Sequence, residues 1–219
     1  MTETTEIPTN TPAGTATDET TTPNTITTGQ LPDIPAISAR AQAIADKGRW
    51  GLSSEPQTGA LLRTLAASKP GGRILEVGAG VGVGTGWLLS GMDADSRLIT
   101  LELFDGLAKA CRSVVEVDPR AEVITADATE WLDQYDGPPF DLVFVDTTVT
   151  KFERRDLIFR HLKHGALFIA DDLLPQEKWT DAHFPRVERF RAEIMAEPDL
   201  VPTLIDWASG IVVAAYRRP

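Results

Sequence analysis

A short apolar run, Arg73-Ile74-Leu75-Glu76-Val77, passes directly into Gly78-Ala79-Gly80-Val81-Gly82-Val83-Gly84-Thr85-Gly86. Glycine at every second position opens backbone dihedrals closed to other residues and lets a ligand approach the peptide plane. An apolar strand feeding such a turn, with a helix behind it, is how an open α/β sheet builds a nucleotide site at its carboxyl edge. The glycine register narrows the choice. A dinucleotide fingerprint needs glycine at the first, third and sixth positions. Counted from Gly78, Gly80 or Gly82, the sixth residue is Val83, Thr85 or Trp87, which disfavours NAD and FAD and with them a dehydrogenase. No Lys-Ser/Thr pair closes the turn, so a phosphate-binding loop for ATP or GTP is disfavoured as well.

Around this core the chain alternates strand and helix patterns. Strands are predicted at 73–77, 97–101, 121–125, 141–145 and 165–170, with helices at 84–91, 104–113, 128–134, 152–163 and 185–196. Strands separated by helices of this length imply right-handed crossovers and a parallel sheet. Two further strands, 200–205 and 211–216, are close enough to form an antiparallel hairpin. Before the first strand, a helix at 37–47 is expected to end at Gly48. A second is expected to start with Ser54 as N-cap, Gln57 as its return partner and Pro56 in the first turn. Residues 1–32 are Thr-rich with almost no large apolar side chains. They cannot bury enough surface to offset their ordering entropy and read as a disordered tail, leaving 33–219 as a single domain.

Four more apolar runs end on acids: Leu98-Ile99-Thr100-Leu101-Glu102, Val123-Ile124-Thr125-Ala126-Asp127-Ala128, Phe140-Asp141-Leu142-Val143-Phe144-Val145-Asp146 and Gly165-Ala166-Leu167-Phe168-Ile169-Ala170-Asp171-Asp172. Glu102 follows Glu76 by 26 residues. Taken in order with the glycine turn, these segments resemble the motifs of the class I S-adenosylmethionine-dependent methyltransferases. The resemblance implies a Rossmann-like, doubly wound sheet of seven strands, mostly parallel, with the C-terminal strand reversed. It further implies that Glu76, Gly78, Gly80, Gly82 and Gly84 seat S-adenosylmethionine, with Ser54 near its methionine moiety. Glu102 would take both ribose hydroxyls, since a carboxylate can accept two hydrogen bonds from one diol. Asp127 and Ala128 would edge the adenine, and Asp146 would lie beside the methyl donor.

Asp146, Asp171 and Asp172 are expected at neighbouring strand tips. Three carboxylates at one edge repel unless a cation or raised pKa values relieve them. Ligands that are all oxygen suit Mg²⁺, with Mn²⁺ or Ca²⁺ as rivals. The set resembles that of catechol and caffeoyl-CoA O-methyltransferases, in which an acid after the fourth strand and an Asp-Asp or Asp-Asn pair after the fifth hold a divalent cation. The plainer alternative is that Asp172 caps a loop and Asp146 only orients the cofactor amine. In that family a lysine usually stands three residues after the fourth-strand aspartate as general base. Val149 occupies that place here, and the nearest lysine is Lys151, five residues on. Lys151 serves as a base only if the loop bends into the site; otherwise it is an exposed residue at a helix start. His183, in a long segment with Trp179, is a second candidate base or lid contact. His161 and His164 read as structural, His164 serving a helix C-terminus, and Cys111 as a packed helix residue.

The implied function is methyl transfer from S-adenosylmethionine to a hydroxyl of a small molecule. The alternative, prompted by Val149, is a non-catalytic binding or regulatory protein of the same fold. The formal net charge of −11, of which residues 1–33 contribute five acids and no Lys or Arg, argues against a nucleic-acid substrate. No apolar run approaches the ~20 residues of a membrane span. A single cysteine and the lack of a basic-then-apolar leader suit a reducing cytoplasm. A homodimer is implied by the family alone, and acceptor choice is expected to reside in 33–58 and 173–185.

Overall fold

Ile74, Leu75 and Val77 are all buried, so successive side chains on both faces of one strand must be covered. That demands helices on both sides of the sheet. The computed structural model describes residues 31–177 and 179–217, and the Thr-rich segment through Gln30 lies outside the described residues. Among them, β1 (Arg73–Val77), β2 (Arg97–Glu102), β3 (Ala121–Thr125), β4 (Phe140–Val145), β5 (Leu162–Ala170), β6 (Leu200–Ile205) and β7 (Ile211–Tyr216) form one seven-stranded sheet. The order is β3-β2-β1-β4-β5-β7-β6, with β1 to β5 parallel and β7 antiparallel to both β5 and β6. The expected fold class and the closing hairpin are therefore both present.

The strand side chains alternate between two cores. Ile74, Leu98, Leu142, Phe144 and Ile169 pack under α1 (Ala36–Gly48), α2 (Pro56–Ala67), α3 (Val83–Gly91) and α4 (Asp105–Val115). Leu75, Leu101, Val143, Val145 and Phe168 pack under α5 (Ala128–Gln134), α6 (Thr148–Phe152), α7 (Arg155–Phe159) and α8 (His183–Ala196). The strand order reverses direction between β1 and β4, which places a crevice at their carboxyl ends. Gly78 is required there: its φ is +100°, and a Cβ would stand 2.6 Å from the Asp146 carbonyl oxygen.

Several local expectations are corrected. Gly48 is the last residue of α1, and Arg49 takes the left-handed cap at φ 55°. Ser54 does not cap α2. The N-cap is Glu55, extended as a residue before proline prefers to be, Pro56 is the first helical residue, and no side chain caps the end. The single helix expected at 152–163 is two short ones, α6 and α7. The reason lies in the spacing of Phe152, Leu157 and Ile158, all buried. On one continuous helix these would point in three directions, whereas a break at Glu153-Arg154 turns all of them to the core. Strand β5 consequently begins at Leu162, with a register shift around Gly165. His164 lies in β5 rather than at a helix end.

Candidate active site

The crevice at the switch point is walled by the turn after β1, the start of α3, Asp146 and the segment leading into α2. Glu76 forms its floor. Its Oε2 accepts 2.6 Å hydrogen bonds from the hydroxyls of Thr85 and Thr100. The Glu76 carboxyl is only 1% exposed, and burial pushes its pKa up to about 7 despite those two hydrogen bonds. Oε1 faces Gly84, where a Cβ would stand 2.7 Å from it and 3.2 Å from Ser54 Oγ. Gly84 thus keeps the floor open, and Ser54, freed from capping, looks onto it.

Glu102, at the tip of β2, is tied back to the turn. Its Oε2 accepts from the Gly80 amide at 2.8 Å and its Oε1 from the Phe104 amide at 2.9 Å. Each oxygen keeps a second lone pair for a diol. Asp127 caps α5, accepting from the Thr129 and Glu130 amides, and the Thr129 hydroxyl is foremost in holding its pKa below the usual carboxylate value. Ala128 follows as the first residue of that helix. Gly82, at φ +99°, faces Cys111 and Val114 of α4. The buried Cys111 thiol is pushed up to about 12, foremost by desolvation, which suits packing rather than nucleophilic attack.

On the other side of the crevice, Asp146, Asp171 and Asp172 bring carboxylate oxygens within 4.8 Å of one another. Burial raises the Asp146 pKa to about 6, Lys151 opposing and Asp172 adding to the shift. Asp171, 2% exposed, is raised foremost by burial and then by Asp146. Its Oδ1 is buried with no hydrogen-bond partner. Asp172 stands in the left-handed region at φ 58°, with Oδ1 accepting from Gln176 Nε2 at 2.6 Å. An orphaned buried carboxylate oxygen beside two further carboxylates fits a hard divalent cation, the chemistry expected of these three residues.

Lys151 does enter the site. It is 4% exposed, and Nζ donates to the Asp171 carbonyl at 2.8 Å and lies 3.9 Å from Asp171 Oδ1. Val149, by contrast, is 47% exposed. His183 packs edge-on to Phe152 and Trp179 at the start of α8, and burial, with help from the Lys151 charge, lowers its pKa. His161 donates from Nε2 to the Leu132 carbonyl, away from the crevice.

Thr85, Thr100, Gln176 and Ser53 were given no role in the sequence expectations. Thr100 could have been found, because it pairs directly across from Glu76 once β1 and β2 are aligned in parallel. Gln176 lies four residues beyond Asp172, but in an irregular segment with no period to mark it. Ser53 Oγ and Trp50 Nε1, at the crevice wall, are buried without partners, and only the folded backbone reveals that.

The methyltransferase-domain family matches residues 75–173, the stretch that runs from β1 through Asp171 and Asp172. An O-methyltransferase of Mycolicibacterium vanbaalenii is 32% identical over 195 residues, covering 84% of each chain. The chain belongs to the class I S-adenosylmethionine-dependent methyltransferases, in their O-methyltransferase branch. A catechol O-methyltransferase of Mycobacterium tuberculosis is 31% identical over 148 residues, 65% of this methyltransferase and 66% of that one. The O-methyltransferase TomG of Streptomyces achromogenes, solved with S-adenosylmethionine, superposes with a TM-score of 0.72 at 25% identity, covering 86% of this chain and 92% of that one. Among the described residues no helix of this methyltransferase is long and apolar enough to cross a membrane.

Proposed function

We propose that this methyltransferase moves the methyl group of S-adenosylmethionine to a hydroxyl of a small acceptor held at the Asp146, Asp171 and Asp172 edge. The supporting observation is that these three carboxylates converge beside the crevice containing Glu76 and Gly80, so a donor site and an acceptor site share one wall, Asp146. Glu102 would read the ribose, with Gly80 holding it in place, and Asp127 and Ala128 would edge the base. Glu76 would meet the cationic end of the methionine moiety. Ser54 and the backbone of Gly78 and Gly84 would leave room for it.

A divalent cation, Mg²⁺ foremost, fits the all-oxygen set of Asp146, Asp171 and Asp172 and would lower the pKa of an acceptor hydroxyl. The residues do the rest by position, since holding acceptor oxygen and methyl in line supplies much of the rate. Lys151 would take the acceptor proton as a neutral amine, once its own ammonium proton has passed to solvent and its nitrogen has left the Asp171 carbonyl. The non-catalytic alternative draws on Val149, and the burial of Lys151 next to Asp171 supports the catalytic reading over it. Calorimetric titration with S-adenosylhomocysteine and transfer of labelled methyl from S-adenosylmethionine to a panel of catechols, phenols and alcohols test the proposal. Binding and transfer to at least one hydroxyl are expected. Binding without transfer to any acceptor would restore the non-catalytic alternative, and no binding at millimolar ligand would remove both.

A further inference from the structure

The family's usual lysine position and Lys151 differ by two residues, and on α6 two residues amount to about 200° of rotation. That turn explains why Val149 faces outward while Lys151 points at the tip of β5. A buried ammonium is costly unless it is paired. Lys151 meets this cost with the Asp171 carbonyl at 2.8 Å and the Asp171 carboxylate at 3.9 Å, and its Nζ lies 5.6 Å from the Phe152 ring centroid. The oxygen it attracts, Asp171 Oδ1, is the same buried oxygen that lacks a hydrogen bond. A divalent cation held by the three carboxylates would therefore contest that atom with the ammonium.

We propose that Lys151 is the resident counter-ion of the Asp146, Asp171 and Asp172 cluster and sets its affinity for a divalent cation, which seats on Asp171 only as the ammonium withdraws. The inference rests on the O-methyl-transfer function proposed above and adds to it a residue that governs metal occupancy. Asp146, Asp171 and Asp172 together hold more oxygen ligands than one ammonium can use, so the cluster still offers a divalent ion a seat after Lys151 has taken its share. The ammonium weakens that attraction in two ways: it repels the incoming ion, and its hydrogen bond to the Asp171 backbone must yield. At such short range in a partly desolvated site, one unit charge changes an ion's affinity by about tenfold or more. Lysine cannot stand in fully for the metal, because an ammonium offers three donors on a flexible stem and a hard cation gathers six or more oxygens.

Calorimetric titration of the apoprotein with MnCl₂ alone tests this, using wild type, Lys151→Met and Lys151→Arg, each also titrated with S-adenosylhomocysteine. Lys151→Met is expected to bind Mn²⁺ at least about tenfold tighter than wild type. Lys151→Arg, which keeps the charge, should remain within a few-fold of wild type. Equal or weaker Mn²⁺ binding by Lys151→Met overturns the proposal, as does a Lys151→Arg variant tightened as much as the Met variant or an absence of Mn²⁺ binding in all three. If Lys151→Met loses its native circular dichroism, Lys151→Gln carries the same expectation. The S-adenosylhomocysteine arm keeps the two ideas apart: its failure in wild type removes the methyltransferase function, whereas the Mn²⁺ comparison judges Lys151 alone.

Discussion

Glu102 Oε2 accepts a 2.8 Å hydrogen bond from the Gly80 amide, so the tip of β2 and the glycine turn after β1 hold each other in place. The carboxylate is thereby aimed before any ligand arrives, and less ordering remains to be done on binding. Glu102→Ala should weaken S-adenosylhomocysteine binding by tenfold or more, the order of a lost charged hydrogen bond. Calorimetry on both proteins measures it, and unchanged affinity would show that Glu102 serves the turn alone.

Glu76 makes stability depend on pH in a set direction. Its folded-state pKa of about 7 lies above the ordinary 4.5, so the folded protein binds the extra proton. The associated stability is complete below pH 4.5 and is lost as pH rises through 7, by about 3 kcal/mol in the ligand-free protein. Glu76→Gln should flatten this part of the profile. Urea midpoints of wild type and variant between about pH 5 and 8 supply the comparison, and parallel slopes would count against a protonated Glu76.

A cationic ligand end arriving at Glu76 should favour its ionised form. Binding of S-adenosylhomocysteine near pH 6.5 is therefore expected to release a fraction of a proton. Calorimetry in two buffers of different ionisation enthalpy detects it as a buffer-dependent heat. Glu76→Gln should lose that dependence.

Gly78→Ala should fail for two independent reasons, the φ of +100° and the 2.6 Å approach of a Cβ to the Asp146 carbonyl. A loss of more than about 1 kcal/mol is expected, or a melting temperature lower by at least about 2–4 °C for a domain of this size. Gly106→Ala is the control: it sits in α4 with nothing within 4 Å of its Cβ position and should be neutral or stabilising.

Cys111 gives a probe of packing. With its thiol raised to about 12 and buried, it should resist alkylation at pH 8 in the native protein and react on unfolding in urea. Labelling of the folded protein at the rate of a free thiol would show that α4 opens readily.

The fold was legible wherever a residue pattern carried its own geometry. The strands at 73–77, 121–125, 200–205 and 211–216 and the helix at 128–134 have the bounds read from sequence, because apolar runs and capping residues such as Asp127 mark their ends locally. The chain from Asp146 to Leu162 was not legible, since there the apolar spacing is resolved by tertiary burial and not by one helical period. For the same reason Lys151 could be named but not placed: its orientation follows from the break between α6 and α7. Ser54 went the other way, its capping pattern overruled by the proline two residues later. The acid cluster was visible as three strand-end aspartates, yet the orphaned oxygen of Asp171 and the Gln176 clasp on Asp172 exist only once distant segments meet.

The backbone at Asp172 has a consequence for how such a tandem acid can vary. Consecutive residues leaving a strand ordinarily diverge to opposite sides, and the positive φ of 58° is what folds the second carboxylate back toward the first. Substitution at 172 is thus filtered by conformation before chemistry. Asparagine could keep both the bend and an oxygen, glycine the bend alone, and a β-branched side chain neither, so the repertoire open to drift at this position is far narrower than its partial solvent access suggests.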